Sequence, residues 1–471
     1  MSIYFTASSI FLLTFISQLA LKFFYFNNSL FFEQNASLNL FYILLCILAV
    51  ALGEIFAQNG KLKLFHKFRV SIGSDESSRS QPSSLYLCRF SRFLASISLA
   101  VFLLQLYILF TRYSSVGSLI APGELRALLN TETDLKLPVY FYIFRIVASS
   151  SLSLLVLSFT LRSLILSFYS YSSRLRIPGL RLCNLTIIVC LVSSFPSFLE
   201  GSRNTATVFS VFFLLLLSIS FIPSLVSNTR LFLGSGRVNT RTFISVLLLL
   251  LSMLILLYLF DIVGSQRSTA FYGEGSALDE VTNSLYSISG VSDRLDNPTR
   301  IISIFYLTHS LDRISDILSN YSTYIFPTHL GSNILLIPYR VFCSIGIFIF
   351  CASSSSAAPG YIDGLFHGAI GDLLLDFGFF FTPLIFFGLG CLHSISISRL
   401  IKSSPIVSSK CLLRYLASNV SYVSLSSLFV LSPLYLLYGG ATFIFLPQAL
   451  FFVFFFPLLA SLVTKNSFLR S

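Results

Sequence analysis

The sequence predicts an all-α polytopic integral membrane protein with about ten transmembrane helices. The mean hydropathy is +0.83 and only 11% of the 471 residues are charged, whereas a soluble protein of this length carries about 25%. Apolar runs of about 20 residues, long enough to cross a hydrocarbon core, recur along the chain. They predict spans near residues 3–26, 38–57, 91–111, 139–161, 183–199, 205–225, 242–260, 370–392, 415–437 and 441–463. We treat 1–471 as a single transmembrane domain.

The first span also predicts how the chain is anchored. Residues 3–26 neither follow a basic segment nor precede a small-residue cleavage site, so we expect a retained anchor and not a removed signal peptide.

Basic residues in the connecting segments predict the orientation, because Lys and Arg are retained on the cytoplasmic side of membranes. Of the 31 basic residues, 20 fall in alternate connections and at the C-terminus, namely 58–92, 162–181, 230–241, 399–414 and 465–470. Both termini are therefore expected to be cytoplasmic. The net charge of +12 reflects this topology and does not indicate a nucleic-acid partner.

A long polar loop, 261–368, interrupts the apolar pattern. It contains arginines, histidines and carboxylates but no lysine, so we expect chemistry on a polar substrate in this large outer (non-cytoplasmic) loop. Helices predicted at 277–289 and 301–318 would form a lid over a cavity that opens sideways to lipid. The apolar stretch 341–352 is too short for an ordinary span, so a re-entrant or interfacial placement is preferred over a full crossing.

Arg203 lies in a very short turn, 200–204, between the predicted fifth and sixth spans. The turn holds this side chain at the depth of the lipid head groups, where its planar fork of donors suits a phosphate or pyrophosphate. The alternative is an interfacial anchor, or an ion pair with Glu200.

Two further arginines lie in outer segments with apolar neighbours. Arg126 belongs to 119–130, a predicted amphipathic helix that would present one cation to head groups or substrate; the alternative is an ordinary anchor. Tyr339 and Arg340 follow Pro338, where the tyrosine could stack on a sugar and the arginine could reach an anion. The alternative for this pair is loop packing.

Carboxylates cluster where the chain enters the predicted span 370–392. Asp372 and Asp376 are four residues apart and so share one face of a helix, with His367 about one turn earlier and Tyr361 before it. Carboxylates at the mouth of a span are costly unless they pair, line a wet cavity or take part in catalysis. Either aspartate is a candidate general base, and a structural Asp–Arg pair is the alternative.

Three of these stretches together resemble the bacterial O-antigen polymerases, the Wzy-type oligosaccharide repeat-unit polymerases. They are the Gly201-Ser202-Arg203 turn between mid-chain spans, the Ile337-Pro338-Tyr339-Arg340 approach after a long outer loop, and the run from Gly371 to Gly378 that enters an apolar span. The chain departs from the family where Asn204 and Thr205 follow the turn in place of a small residue.

This resemblance implies a glycosyl transfer at the outer face of the bacterial inner membrane. The donor and acceptor would be polyprenyl-pyrophosphate-linked oligosaccharides, and a chain-length regulator and a flippase would be partners. Arg203, with Arg126 or Arg340, would stabilise the pyrophosphate leaving group, and Asp372 or His367 would activate the acceptor hydroxyl. The remaining substrate contacts would come from Arg267, Tyr339, Tyr361 and Asp376. The scheme needs no metal, cofactor or nucleotide sugar.

Three alternatives remain open at this level, one of them a structural or scaffold membrane protein, for which the outer-loop arginines would be free to vary. An O-antigen ligase would share the donor and the arginines and differ in its acceptor. A flippase or transporter would place charged or helix-breaking residues deep within its spans, whereas the predicted spans are nearly free of charge at their centres. The eight cysteines show no CxxC spacing, so we expect membrane-packed thiols without a disulfide framework or metal site.

Overall fold

The computed structural model describes residues 6–26, 30–33, 36–58, 84–116, 147, 150–169, 179–193, 298–319, 368–402, 409–431 and 448–455. These residues form nine α-helices: α1 (Ala7–Tyr25), α2 (Leu30–Glu33), α3 (Ala36–Gln58), α4 (Ser84–Val116), α5 (Ser151–Tyr169), α6 (Leu180–Val192), α7 (Pro298–Ser319), α8 (Gly368–Lys402) and α9 (Ser409–Leu431). A short π-helical segment, Phe451–Phe455, follows.

Four helices in the described part of the chain are long and apolar enough to cross a membrane: Ala7–Tyr25, Ala36–Gln58, Leu87–Thr111 and Gly368–Leu400. They coincide with the spans predicted at 3–26, 38–57, 91–111 and 370–392. Shorter apolar helices, Ser151–Arg162, Leu180–Val192 and Tyr415–Leu431, overlap three more predicted spans. The spans predicted at 205–225 and 242–260, and the stretch 341–352, lie outside the described residues. The described part of the protein is thus helical, with helices suited to a membrane.

Among the helices that the structure describes, α3 and α8 pack backbone against backbone. A Cβ atom on Gly53 would overlap the backbone carbonyl of Phe387, and one on Gly390 would overlap the backbone of Val50. Small residues allow backbones to approach in this way, and membrane helices gain van der Waals contact from it. This pair of glycines brings α3 and α8 into direct backbone contact.

Helices α3 and α8 run parallel. Near one end, the Tyr42 hydroxyl donates to the Phe379 carbonyl at 2.8 Å; near the other, the Cys391 thiol donates to the Gly53 carbonyl at 3.2 Å. Both helices therefore advance together along the contact. Parallel neighbours in a membrane require the intervening chain to cross an odd number of times, as the predicted topology also demands.

A break divides α8 near its beginning. Gly378 has φ 77° and ψ 177°, a conformation open essentially to glycine alone. Pro383, five residues later, has no N–H to donate to the Phe379 carbonyl, and that carbonyl instead accepts from Tyr42. The residues before the break, 368–377, form a separate helical segment, which we name the α8 entry segment.

A second group of helices comprises α4, α5 and α6. Ser91 of α4 lies 3.4 Å from Cys183 of α6, and Arg162 of α5 donates from Nε to Asn184 of α6 at 2.8 Å. Helix α9 contacts α5 as well as α1 and α8. Helix α9 therefore joins this group to α1 and α8.

Candidate functional site

A buried ion pair connects α1 to a helix from the long polar loop. The Lys22 ammonium, in the last turn of α1, pairs with the carboxylate Oδ2 of Asp312 on α7, and both side chains are almost fully buried. The other oxygen of Asp312 accepts from the Phe31 backbone N–H at 3.2 Å. The Lys22 ammonium also lies 5.4 Å from the centre of the Phe26 ring, a favourable cation–π distance.

Two neutral hydrogen bonds flank this ion pair. Gln18, one turn before Lys22, donates to the Ser310 hydroxyl at 2.7 Å, and Asn39 at the start of α3 donates to the Ser315 hydroxyl at 2.9 Å. We call these groups the Lys22 network: Gln18, Lys22, Phe31 N–H, Asn39, Ser310, Asp312 and Ser315. The network attaches one end of the α1–α3 hairpin to nearly two turns of α7.

Helix α7 contains the helix predicted at 301–318, but it is more deeply placed than an interfacial lid. Every residue from Thr308 to Ser315 is buried, including His309 and Arg313. Arg313 lies 3.7 Å from the Asp316 carboxylate within the helix. Because all sides of this stretch are covered, α7 is inserted between other helices and does not simply lie on top of them.

The α8 entry segment presents the two predicted carboxylates. Asp372 and Asp376 are one helical turn apart, as predicted, and only 1% and 0% exposed. Helix α7 packs against α8 as well as against α1, α2 and α3. The segment that carries the aspartates is therefore part of the same end of the bundle as the Lys22 network.

The other predicted site residues lie outside the described residues. These are Arg203, His367, Arg126, Arg340, Tyr339, Tyr361 and Arg267. Whether they approach Asp372 and Asp376 stays a prediction.

A second buried network lies at the opposite end of α1 and α3. The Glu54 carboxylate accepts from the backbone N–H of Ala7 at 2.6 Å, from the backbone N–H of Ser8 at 3.3 Å and from the Ser8 hydroxyl at 2.6 Å. These are the first amides of α1, which have no partner within their own helix. Thr6 caps the same helix by accepting from Ser9 N–H at 3.3 Å. Glu54 therefore completes the start of α1, where the helix dipole favours a negative charge.

The same carboxylate orients a buried histidine of α8. Nδ1 of His393 lies 3.2 Å from Glu54 Oε1, and Nε2 lies 3.0 Å from the Ser426 hydroxyl of α9. The imidazole thus bridges the carboxylate of α3 and the hydroxyl of α9. We call Ala7 N–H, Ser8, Glu54, His393 and Ser426 the Glu54 network; it joins α1, α3, α8 and α9.

The order carboxylate, imidazole, hydroxyl is the one that activates a serine nucleophile in hydrolases. Here His393 and Ser426 are both completely buried, with aromatic Tyr422 and Phe429 beside the imidazole. A nucleophile needs access to its substrate, and this packing gives none. The chain of hydrogen bonds acts instead as a link between four helices.

A groove of about 620 Å³ lies between α1 and α3. Its lining is apolar, with Leu12, Phe41 and Leu48 among its residues, except for Ser8 and Ser9 at one end. Such a lining suits hydrocarbon and offers little to a polar substrate.

Sequence reasoning missed both networks. Lys22 is the one charged residue in the predicted span 3–26, which is a usable signal because a lysine there needs a partner. Nothing local identified Asp312, since the two residues are 290 positions apart. Likewise, Glu54 and His393 are separated by 339 positions.

The fold and these networks define a helical membrane protein with buried ionisable groups at both ends of α1 and α3. Comparison of the chain with known protein families, curated proteins and solved structures finds no match.

Proposed function

We propose that this protein is a membrane glycosyltransferase that joins polyprenyl-pyrophosphate-linked oligosaccharide units into a surface polysaccharide. The structural observation that supports the proposal is the burial of Asp372 and Asp376 on one face of the α8 entry segment, beside a helix from the polar loop. Buried carboxylates in a membrane protein are costly and are usually kept for function. The resemblance of the Arg203 turn and of the 371–378 run to repeat-unit polymerases gives the reaction class.

The proposed protein has about ten spans and cytoplasmic termini in a bacterial inner membrane. In that topology, which the distribution of basic residues supports, the Lys22 network and the α8 entry segment lie at the outer face. Both substrates would reach this end laterally from the outer leaflet, because their polyprenyl tails stay in the lipid.

The proposed reaction transfers a glycan from one lipid carrier to a sugar hydroxyl of the next unit. Asp372, or His367, accepts the hydroxyl proton while the oxygen attacks the anomeric carbon, and the bond from that carbon to the pyrophosphate oxygen breaks. Arg203, with Arg126 or Arg340, stabilises the charge on the departing polyprenyl pyrophosphate. Tyr339, Tyr361, Arg267 and Asp376 hold the sugars. Since Asp372 is covered in this structure, the proposal requires α7 or its neighbours to move when substrate binds.

A transporter or flippase is the second candidate, and the Glu54 network favours it. A hydrogen-bonded carboxylate and histidine inside helices that can span a membrane are typical of proton pathways. An O-antigen ligase would use the same donor chemistry as the polymerase and would differ only in its acceptor.

Glycan length in cells that depend on this protein tests the proposal. Wild type would be compared with Arg203→Ala, Arg203→Lys and Asp372→Asn, and with Arg162→Gln as a matched loss of positive charge at an exposed helix contact. Membrane levels of every variant would be measured by immunoblotting. We expect surface glycan limited to single repeat units in the first three variants and normal glycan in Arg162→Gln.

Other results would redirect the proposal. Normal long glycan in Arg203→Ala would remove Arg203 from the mechanism. Loss of all surface glycan, single units included, would favour ligation or export.

A further inference from the structure

We propose that Lys22 and Asp312 are positioning residues, and that their ion pair holds α7 in its inserted position beside the α8 entry segment. This deepens the proposed function and, in its effect on glycan synthesis, rests on it. The docking of α7 can be tested without any assumption about catalysis.

Both members of the ion pair are buried. Lys22 is 0% exposed and Asp312 is 4% exposed. An ammonium removed from water needs a compensating charge, and removal of one partner leaves the other uncompensated. Undocking α7 would leave Lys22 in that condition if it stayed in the apolar surroundings of α1. The pair therefore opposes any movement that separates α7 from α1.

The ion pair also bears on the rotation and register of α7. Apolar side chains of similar volume can often replace a buried ion pair without loss of stability, so stability alone does not account for a lysine at this position. Helix α7 carries polar residues on several faces between Thr308 and Ser315, all of them buried. Leu311, Ile314 and Leu318 form a buried apolar stripe, but burial of the polar faces as well means that this stripe does not act alone. The bond from Lys22 to Asp312, bracketed by Gln18–Ser310 and Asn39–Ser315, specifies which polar residues of α7 meet α1 and α3.

Helix α7 links the Lys22–Asp312 ion pair to α8, the helix that carries Asp372 and Asp376. Asp312 is fixed on both oxygens, by Lys22 and by the Phe31 N–H, so α7 is tied to the α1–α3 hairpin. The same helix packs against α8, whose entry segment is separated from the rest of α8 by the break at Gly378. A segment joined through such a break depends on its neighbours for position. Asn39 of α3 bonds to Ser315 of α7, and Tyr42, three residues further along α3, donates to the Phe379 carbonyl next to the break. Helix α7 and the break in α8 therefore lie at the same end of α3.

A double-mutant cycle with a burial reporter tests the proposal. Full-length protein in detergent, with its eight native cysteines replaced by serine or alanine, would carry Ile317→Cys on α7, a position that is 1% exposed. The rate of maleimide labelling would be compared among the parent, Lys22→Met, Asp312→Asn and the double variant. Asparagine is chosen because its side-chain oxygen can still accept from the Phe31 N–H, so the substitution removes mainly the charge.

We expect each single substitution to raise the labelling rate at least tenfold, because an uncompensated charge draws α7 away from its place. The double variant should return to within about threefold of the parent, since neither member of the ion pair then remains buried without its partner. Arg162→Gln, which removes a positive charge from the other helix group, should leave the rate unchanged. If a single variant fails to accumulate in membranes, recovery of its level by the second substitution gives the same answer.

Three results would overturn the proposal: single variants that label as slowly as the parent, a double variant that labels faster than either single variant, or a parent in which the reporter already labels rapidly. Glycan length, measured on the same variants with native cysteines, separates this inference from the proposed function. The expected labelling pattern with unaltered surface glycan throughout would leave the docking role intact and contradict the role of this end in glycan synthesis. Shortened glycan in the single variants, with recovery in the double variant, would support both.

Discussion

The Glu54 network and the Lys22 network occupy opposite ends of the same two helices, α1 and α3, but they are built differently. At the Glu54 end, one carboxylate receives backbone and side-chain donors from α1 and an imidazole from α8. At the Lys22 end, a full ion pair connects α1 to α7, a helix of the polar loop. One network thus joins helices of the bundle to each other, and the other joins the bundle to the loop.

The two buried charges therefore depend on different parts of the protein. The Glu54 carboxylate is stabilised by amides of a helix N-terminus that are always present once α1 forms. The Lys22 ammonium depends on a partner from a separate element, and two buried charges repay their desolvation only when the geometry is good. The Glu54 network therefore depends partly on donors within the α1–α3 hairpin, whereas the Lys22 ion pair depends entirely on α7, a helix far away in the sequence.

The largest loss of stability is expected from Glu54→Ala. The substitution removes the acceptor for Ala7 N–H, Ser8 N–H and His393 at once, and buried polar groups left without partners cost about 1–3 kcal/mol each. We expect a loss of about 3–5 kcal/mol, seen as a large fall in the midpoint of thermal aggregation of the detergent-solubilised protein. Glu54→Gln, which keeps an acceptor oxygen, should lose clearly less. Equal losses in the two variants would mean that charge, and not acceptor geometry, is what matters at Glu54.

An intermediate effect is expected where α3 and α8 touch. Gly390→Ala would place a methyl group against the backbone of Val50, which cannot rotate away, so the helices must separate at a cost of about 1–3 kcal/mol. Gly388→Ala is the matched control, since nothing lies within 4 Å of its added Cβ. We expect the control to equal or slightly exceed wild type in thermal midpoint, because alanine favours a helix over glycine. A fall of similar size in both variants would contradict the close contact at Gly390.

The smallest loss of stability is expected from Ser426→Ala, which tests whether the Glu54 network is only structural. It removes one partner of His393 Nε2 and should cost about 1 kcal/mol, measured as a modest shift of the same thermal midpoint. Glycan length should stay normal, because the buried Ser426 hydroxyl links α9 to α8 and has no access to a substrate. Complete loss of glycan synthesis at normal membrane levels would instead assign Ser426 a chemical role.

The sequence was informative wherever the physics is local. Apolar runs predicted α1, α3, α4 and α8 because crossing a membrane requires a continuous apolar segment, and the four-residue spacing placed Asp372 and Asp376 on one helix. Their burial was not predictable, because it depends on long-range packing that the local sequence pattern does not specify. The resemblance to polymerases and the roles of Arg203 and the other outer arginines remain predictions.

Long-range pairing marks the limit of such reasoning. Lys22 could be recognised as a charge in need of a partner, but any of several loop carboxylates would have satisfied the pattern. The break at Gly378 was also missed, since glycine occurs within many membrane helices without breaking them. Its positive φ becomes evident only in the structure.

The parallel contact between α3 and α8 has a consequence for biosynthesis. Tyr42 and Phe379 are 337 positions apart, so α3 must wait for most of the chain to be translated before its closest neighbour arrives. During that interval the nascent hairpin of α1 and α3 holds an ammonium without its carboxylate and a glycine face without its partner helix. A product that ends before residue 312 thus retains Lys22 and Gly53 but lacks both Asp312 and the backbone of Phe387 that they contact in the folded protein.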